Sequence, residues 1–350
     1  MQEDDPVTAH ALRRRQVLKG ALAAAAPFAL PAPAHTQVQG AREPLVIGAL
    51  PVTCNLTLPV TCAAKAASNA KGAGPRFDYE FSKYGGWSEL KESLMTGRVQ
   101  AAYMLAPLVM DLTDHRIGLK IVSLGHRSGA VIMVRTDSPY RSFRELKGKV
   151  IAIPSRFAVD YLFLRKMLAR EGMSTKDVEI LEMPPPDMPA ALYAKAVDAY
   201  CTGEPFGAAA QRAGYARPLR MTRDEWRNYI CCVLTVRTEL IRDNRPMVQD
   251  LVNHVQSAGN WLDGGAANRS KAVAIAAGKK YFNQNPKTLE FVMSNPSDRV
   301  TYGDLRMLRP EFDDLMKLSM EAGTLKRPVA FDSYVDESFV KNIKPVPITL

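Results

Sequence analysis

The 350-residue sequence lacks the marks of several common chemistries. It contains no GxSxG elbow, no glycine-rich phosphate loop and no HExxH pair, and its five histidines, His10, His35, His115, His126 and His254, are scattered. Serine hydrolase, P-loop and zinc-protease mechanisms are therefore without their usual residue sets. Cysteine is scarce: Cys54, Cys62, Cys201, Cys231 and Cys232 match no CxxC zinc spacing. In an oxidising compartment their odd number leaves at least one thiol unpaired or forces a bond between chains. The apolar stretch at 21–30 is far shorter than the ~20 residues needed to cross a bilayer. The balance of 46 Lys+Arg against 36 Asp+Glu gives +10. Past the first few residues the basic groups are dispersed, with no dense run interleaved with aromatics, which argues against nucleic acid and leaves long-range attraction of anions as the reading.

What is present begins with a leader. Arg13, Arg14 and Arg15 stand ahead of the apolar stretch with Lys19 between, and Ala32-Pro33-Ala34 places small residues where a signal peptidase reads. Residues 1–34 are expected to be a twin-arginine-type signal peptide cleaved near Ala34. They imply export to a periplasm, by a route that carries folded protein and so permits reduced thiols.

The mature chain is organised around a repeated unit. In 87–107, WSELKESLMTGRVQAAYMLAP, Trp87, Leu90 and Leu94 share one helical face, Gly97 ends the helix, and an apolar strand is closed by Pro107, its end opening into a loop. Residues 188–205, MPAALYAKAVDAYCTGEP, repeat the plan and end in a Gly203-Glu204-Pro205 loop. Strands are expected at 45–50, 77–81, 118–123, 130–134, 150–153, 178–183 and 229–236, with helices between and mostly helix after 238. The order predicts an α/β fold of two lobes with a central cleft. Lobe 1 comprises 42–134 plus 234–335, lobe 2 comprises 135–233, and 336–350 forms an extended tail. Ligand sites in open α/β sheets lie beyond the carboxyl ends of strands.

The segments GGWSELKESLMTGRVQAAYMLAP, HRSGAVIMV, ELKGKVIAIP, AVDAYCTGEPF and EWRNYICCVLTVRTELI resemble the nitrate/bicarbonate branch of the nitrate, sulfonate and taurine substrate-binding proteins of ABC importers. The similarity runs from about residue 45 to about 264. It implies a type II periplasmic binding fold and a receptor, not an enzyme, that captures a small polar solute without a cofactor. Its partners would be that solute and the permease and ATPase subunits, with the receptor itself monomeric and free of nucleic acid. By the same resemblance Trp87 faces the ligand, Ala106 and Pro107 form the loop after the next strand, Gly129 lies at the first crossover, and Glu204 and Pro205 line the opposite lobe. Cys54 and Asn55 sit in a loop longer than the family's.

Two positions depart from the nitrate binders. Asp160 stands where they carry a histidine, and Cys232 where they carry a lysine. Trading cations for an acid and a thiol weakens an oxyanion assignment, because a desolvated nitrate requires donors or positive charge. Cys54, Cys62 and Cys232 converging with Asp160 on a soft metal or metal complex is the alternative. If Cys231 and Cys232 lie on a strand, only one of them can enter a cleft. A same-fold solute sensor and a thiamine-pyrimidine-related enzyme are further alternatives. The leader argues against the first and the lack of a cysteine-dense motif against the second. Closure is expected to hinge at 131–135 and 232–237.

Overall fold

The computed structural model describes residues 43–350; the predicted leader lies outside the described residues. Apolar, β-branched segments form two five-stranded sheets. The first is built from β1 (Leu45–Ala49), β2 (Tyr79–Lys83), β3 (Ala101–Leu105) and β4 (Leu119–Leu124), together with β11 (Cys232–Arg237). Its order is β2-β1-β3-β11-β4, with β1 parallel to β2 and β3, and β11 antiparallel between β3 and β4. The intervening short strand β5 (Arg127–Ser128) pairs with β12 (Val300–Thr301). The second sheet holds β6 (Ala130–Arg135), β7 (Val150–Ile153), β8 (Glu179–Glu182), β9 (Ala199–Gly203) and β10 (Ala216–Met221), ordered β10-β6-β9-β7-β8. Each strand continuously buried in sequence, such as Ala101–Leu105, is buried on both faces, as expected where helices cover both sides of a sheet.

The repeated unit is present in both sheets. Helix Trp87–Met95 ends at Gly97, whose φ of 76° suits a residue without Cβ, and β3 follows. Helix Met188–Tyr193 precedes β9 in the same way. The strand ends do not open into long loops, however. Ala106 starts helix Ala106–Asp114 directly after β3, with Pro107 in its first turn, where a missing N–H costs nothing. Pro205 likewise precedes helix Phe206–Arg212.

Three expectations about chain organisation need revision. The strand Ala130–Arg135, assigned to the end of the first lobe, is hydrogen-bonded to β9 and β10 and therefore belongs to the second sheet. The two segments expected to flex, 131–135 and 232–237, are sheet strands locked by ladder hydrogen bonds; the chain crosses between sheets at 125–129 and 226–231 instead. The final segment is not wholly extended, since it contains the turn of helix Ser338–Lys341, and Val346 N–H donates to Ser257 on the long helix Thr238–Asp263. Among the described residues no helix is long and apolar enough to cross a membrane.

Candidate functional site

The two crossings run side by side. Arg127 bridges to Ile230, and Ser128 N–H donates to the Tyr229 carbonyl at 3.2 Å. Arg127 fixes this junction: its buried guanidinium donates to the carbonyls of Asn228, Asp304 and Arg306 and to both carboxylate oxygens of Glu311. The pairing sets His126, on the outgoing crossing, beside Cys231, on the returning one. A third group arrives from the end of β1, where the single turn Thr53–Asn55 carries Cys54. That turn is pinned from two sides: Thr53 N–H and Oγ1 donate to the Glu204 carbonyl at 2.9 and 3.0 Å, and Tyr302 Oη donates to the Thr53 carbonyl at 2.7 Å.

One sulfur each from Cys54 and Cys231 and a ring nitrogen of His126 lie within 4.8 Å of one another, all three residues buried. Two glycines make room for the Cys54 sulfur. A Cβ at Gly203 would stand 3.1 Å from it, and one at Gly129 would stand 3.4 Å from it and 3.1 Å from Val300; Gly129 also has φ of 103°, where other residues are strained.

Asp160, in the first turn of helix Val159–Arg170, faces the same group from the second lobe. Its charge acts on Cys54, Cys232 and Tyr229. Burial, then the Cys231 charge, pushes its carboxyl well above the usual range. Cys231 is held well below a thiol's usual value by Cys232, then Cys54, with His126 adding to both. Cys54 and Cys232 are pushed up in turn, chiefly by Cys231. Neither His126 nitrogen, nor Asp160 Oδ1, nor the Tyr229 hydroxyl has a hydrogen-bond partner among the described residues. An unpartnered buried polar group costs about 1–3 kcal/mol, so several at one place mark a site that something else completes.

The other expected site residues fall into distinct places. Trp87 is buried, yet it borders an open groove of about 610 Å³ between the first lobe and residues Pro154, Ser155 and Met183 to Asp187 of the second. Glu204 is fully buried; Ala208 N–H donates to its Oε2 at 2.8 Å, and Arg299 Nη1 stands 3.0 Å from its Oε1 as a charge pair without a hydrogen bond. Asn55 donates to the Leu50 carbonyl at 3.0 Å, and its Oδ1 is unpartnered. Ala106 opens its helix, fully buried.

Cys62 does not converge with the others. It lies along helix Thr57–Ala70, where burial raises its thiol to about 12. All five thiols are free. The strand assignment misplaced Cys231 as well: β11 begins at Cys232, so Cys231 belongs to the crossing, and it is Cys231, not Cys232, whose sulfur joins Cys54 and His126. Cys231 is thus the group that sequence reasoning did not choose, and His126 was counted among the scattered histidines.

Known proteins share this architecture. The ligand-binding component of an ABC-type import system from Staphylococcus aureus, solved with zinc bound, has a TM-score of 0.78 and 26% identity, covering 87% of this chain and 100% of that one. The periplasmic nitrate-binding protein NrtA from Synechocystis PCC 6803 has a TM-score of 0.76 at 17% identity, over 85% of this chain and 88% of that one. In sequence, the nitrate/nitrite binding protein NrtA of Nostoc sp. PCC 7120 is 24% identical over 253 residues, 65% of this chain and 56% of the relative. The chain spans about half the length of that curated relative. The fold is the two-lobed α/β fold of the periplasmic binding proteins. The NMT1-like family model matches residues 39–277, more than half of the sequence, and the chain belongs to that family.

Proposed function

We propose that this protein is the exported solute receptor of an ABC importer, closing two lobes over a small ligand and presenting it to a permease driven by an ATPase. The lobes are 43–124 with 232–350, and 130–225, and they turn on the crossings at 125–129 and 226–231. The observation that carries the reading is the set of buried, unpartnered polar atoms on His126, Asp160 and Tyr229 where the two sheets meet. Cys54, Asp160 and Gly129 wall the ligand site, Trp87 lines the separate groove between the lobes, and Glu204, Asn55, Ala106 and Cys232 position those walls.

The lining favours a cationic or metal-containing solute over nitrate. An oxyanion here would meet a carboxyl and a cluster of thiols, and the nearby cation Arg299 is already paired with Glu204. The zinc-bound Staphylococcus relative supports the same choice. Relatives that are transport binding proteins support a receptor over a catalyst.

Native mass spectrometry of the protein taken gently from its own cells tests the receptor reading. The expected result is a bound small solute, together with a fall in radius of gyration when that solute is added back to stripped protein. A chain that arrives empty and whose scattering no cell extract changes is not a receptor.

A further inference from the structure

Three side chains that the fold brings together from distant sequence positions define a ligand set. Cys54, His126 and Cys231 come from a strand-end turn and from both crossings, and their ligating atoms already lie within 4.8 Å. A tetrahedral zinc site, with Zn–S of about 2.3 Å and Zn–N of about 2.0–2.1 Å, spaces its ligand atoms at about 3.5–3.8 Å. The imidazole has no hydrogen bond at either nitrogen, so one is available to a metal whichever tautomer is present.

We propose that the solute captured at this site is a bare thiophilic d10 metal ion, Zn(II) or Cu(I), coordinated directly by Cys54 Sγ, Cys231 Sγ and a His126 nitrogen. The proposal rests on the receptor reading and names its substrate class. Two sulfurs and one imidazole nitrogen select soft or borderline ions, whereas Mg²⁺ and Ca²⁺ require six or more oxygens. A closed d shell imposes no geometry, so Cu(I) is satisfied by the three groups alone. Zn(II) takes a fourth, for which Asp160 Oδ1, buried and unpartnered on the second lobe, is the available oxygen. Forming two metal–sulfur bonds releases the thiol protons to the buffer; no electron is transferred and no oxidant is required.

Direct coordination also explains the geometry of the crossings. A metal here ties the outgoing and returning chains to the first lobe, and with Asp160 as the fourth ligand to Zn(II) it ties the second lobe as well. The Gly129 and Gly203 backbones pack close against the Cys54 sulfur, where a larger side chain would crowd it.

The test uses the full chain, reduced and kept under anaerobic conditions, titrated separately with Zn(II) and Cu(I) against a chromophoric chelator. One equivalent is expected to bind. X-ray absorption should show two sulfurs at about 2.3 Å and one or two nitrogen or oxygen neighbours at about 2.0–2.1 Å for zinc. Cys54→Ser, His126→Gln and Cys231→Ser should each weaken binding at least about hundredfold, beyond what loss of an outer partner costs, while Cys62→Ser leaves it unchanged. Thermal unfolding of each variant identifies any that does not fold, and the remaining ligand variants then carry the comparison. Metal bound without sulfur neighbours, or equal weakening by Cys62→Ser, overturns the proposal. If the chain takes neither metal but leaves its own cells carrying another solute, the metal assignment fails and the receptor stands. If it takes neither metal, arrives empty and shows no change in scattering with any cell extract, both fail.

Discussion

Two buried polar clusters in this molecule have opposite characters. Around Lys65 every group is answered. The ammonium donates to the Pro75 carbonyl at 2.7 Å and pairs with Asp250 at 3.0 Å, Tyr79 donates to the same carboxylate at 2.6 Å, and His254 Nδ1 meets the Asp250 carbonyl at 2.8 Å. Around Cys231, both imidazole nitrogens of His126, Oδ1 of Asp160 and the hydroxyl of Tyr229 are buried just as deeply and left unanswered. The first cluster joins helix Thr57–Ala70, β2 and helix Thr238–Asp263 within one lobe. The second lies at the meeting of both lobes. A closed network holds a fold together, whereas an open one is a standing cost that a ligand removes.

Substitutions can break or sharpen this contrast. The largest effect is expected from Lys65→Met, which leaves Asp250 charged and buried without its counter-ion and should lower unfolding free energy by about 3–5 kcal/mol in denaturant titrations. Tyr79→Phe removes one hydrogen bond to that charged group and should cost about 1.5–3 kcal/mol by the same measurement. Asp160→Asn, in the open cluster, should change the stability of the ligand-free protein by less than about 1 kcal/mol, because no partner is lost; a cost like that of Lys65→Met would show that Asp160 belongs to the scaffold.

The smallest effect concerns His254, whose imidazole burial holds below its ordinary value. Its folded form binds the proton less readily than the unfolded chain does. The stability it supports is therefore full above about pH 6.5 and lost as pH falls through the depressed value. His254→Gln should flatten the decline in melting temperature between neutral and mildly acidic pH; an unaltered slope would assign that decline to other groups.

The contrast also shows what could be read from the chain. Local periodicity located most elements, because the Trp87, Leu90, Leu94 face and the apolar run that becomes β3 carry their own instructions in residue spacing. The acid in place of a cation at Asp160 was visible too, and pointed away from nitrate. Cys231 was hidden for a specific reason: strand alternation was applied to a residue one position before β11 starts, where alternation does not hold. His126 could not be matched with it because the pairing of Arg127 with Ile230 spans a hundred residues and leaves no local trace. Glu204 looked like a ligand contact from its loop, yet its carboxylate is held by Ala208, one helical turn on, and by Arg299, far along the chain. Long-range partners decide which polar residue is free, and single-sequence patterns do not encode them.

The guanidinium of Arg127 sets a limit on how the molecule can move. Its grip on Asn228, Asp304, Arg306 and Glu311 welds both linkers and the segment leading into helix Arg309–Glu321 into a single rivet. Sliding of one linker past the other would break these bonds, whereas a swing of the smaller half about them would keep them. His126 and Tyr229 are the immediate neighbours of the riveted residues, so the gate and the guest's seat share one bearing.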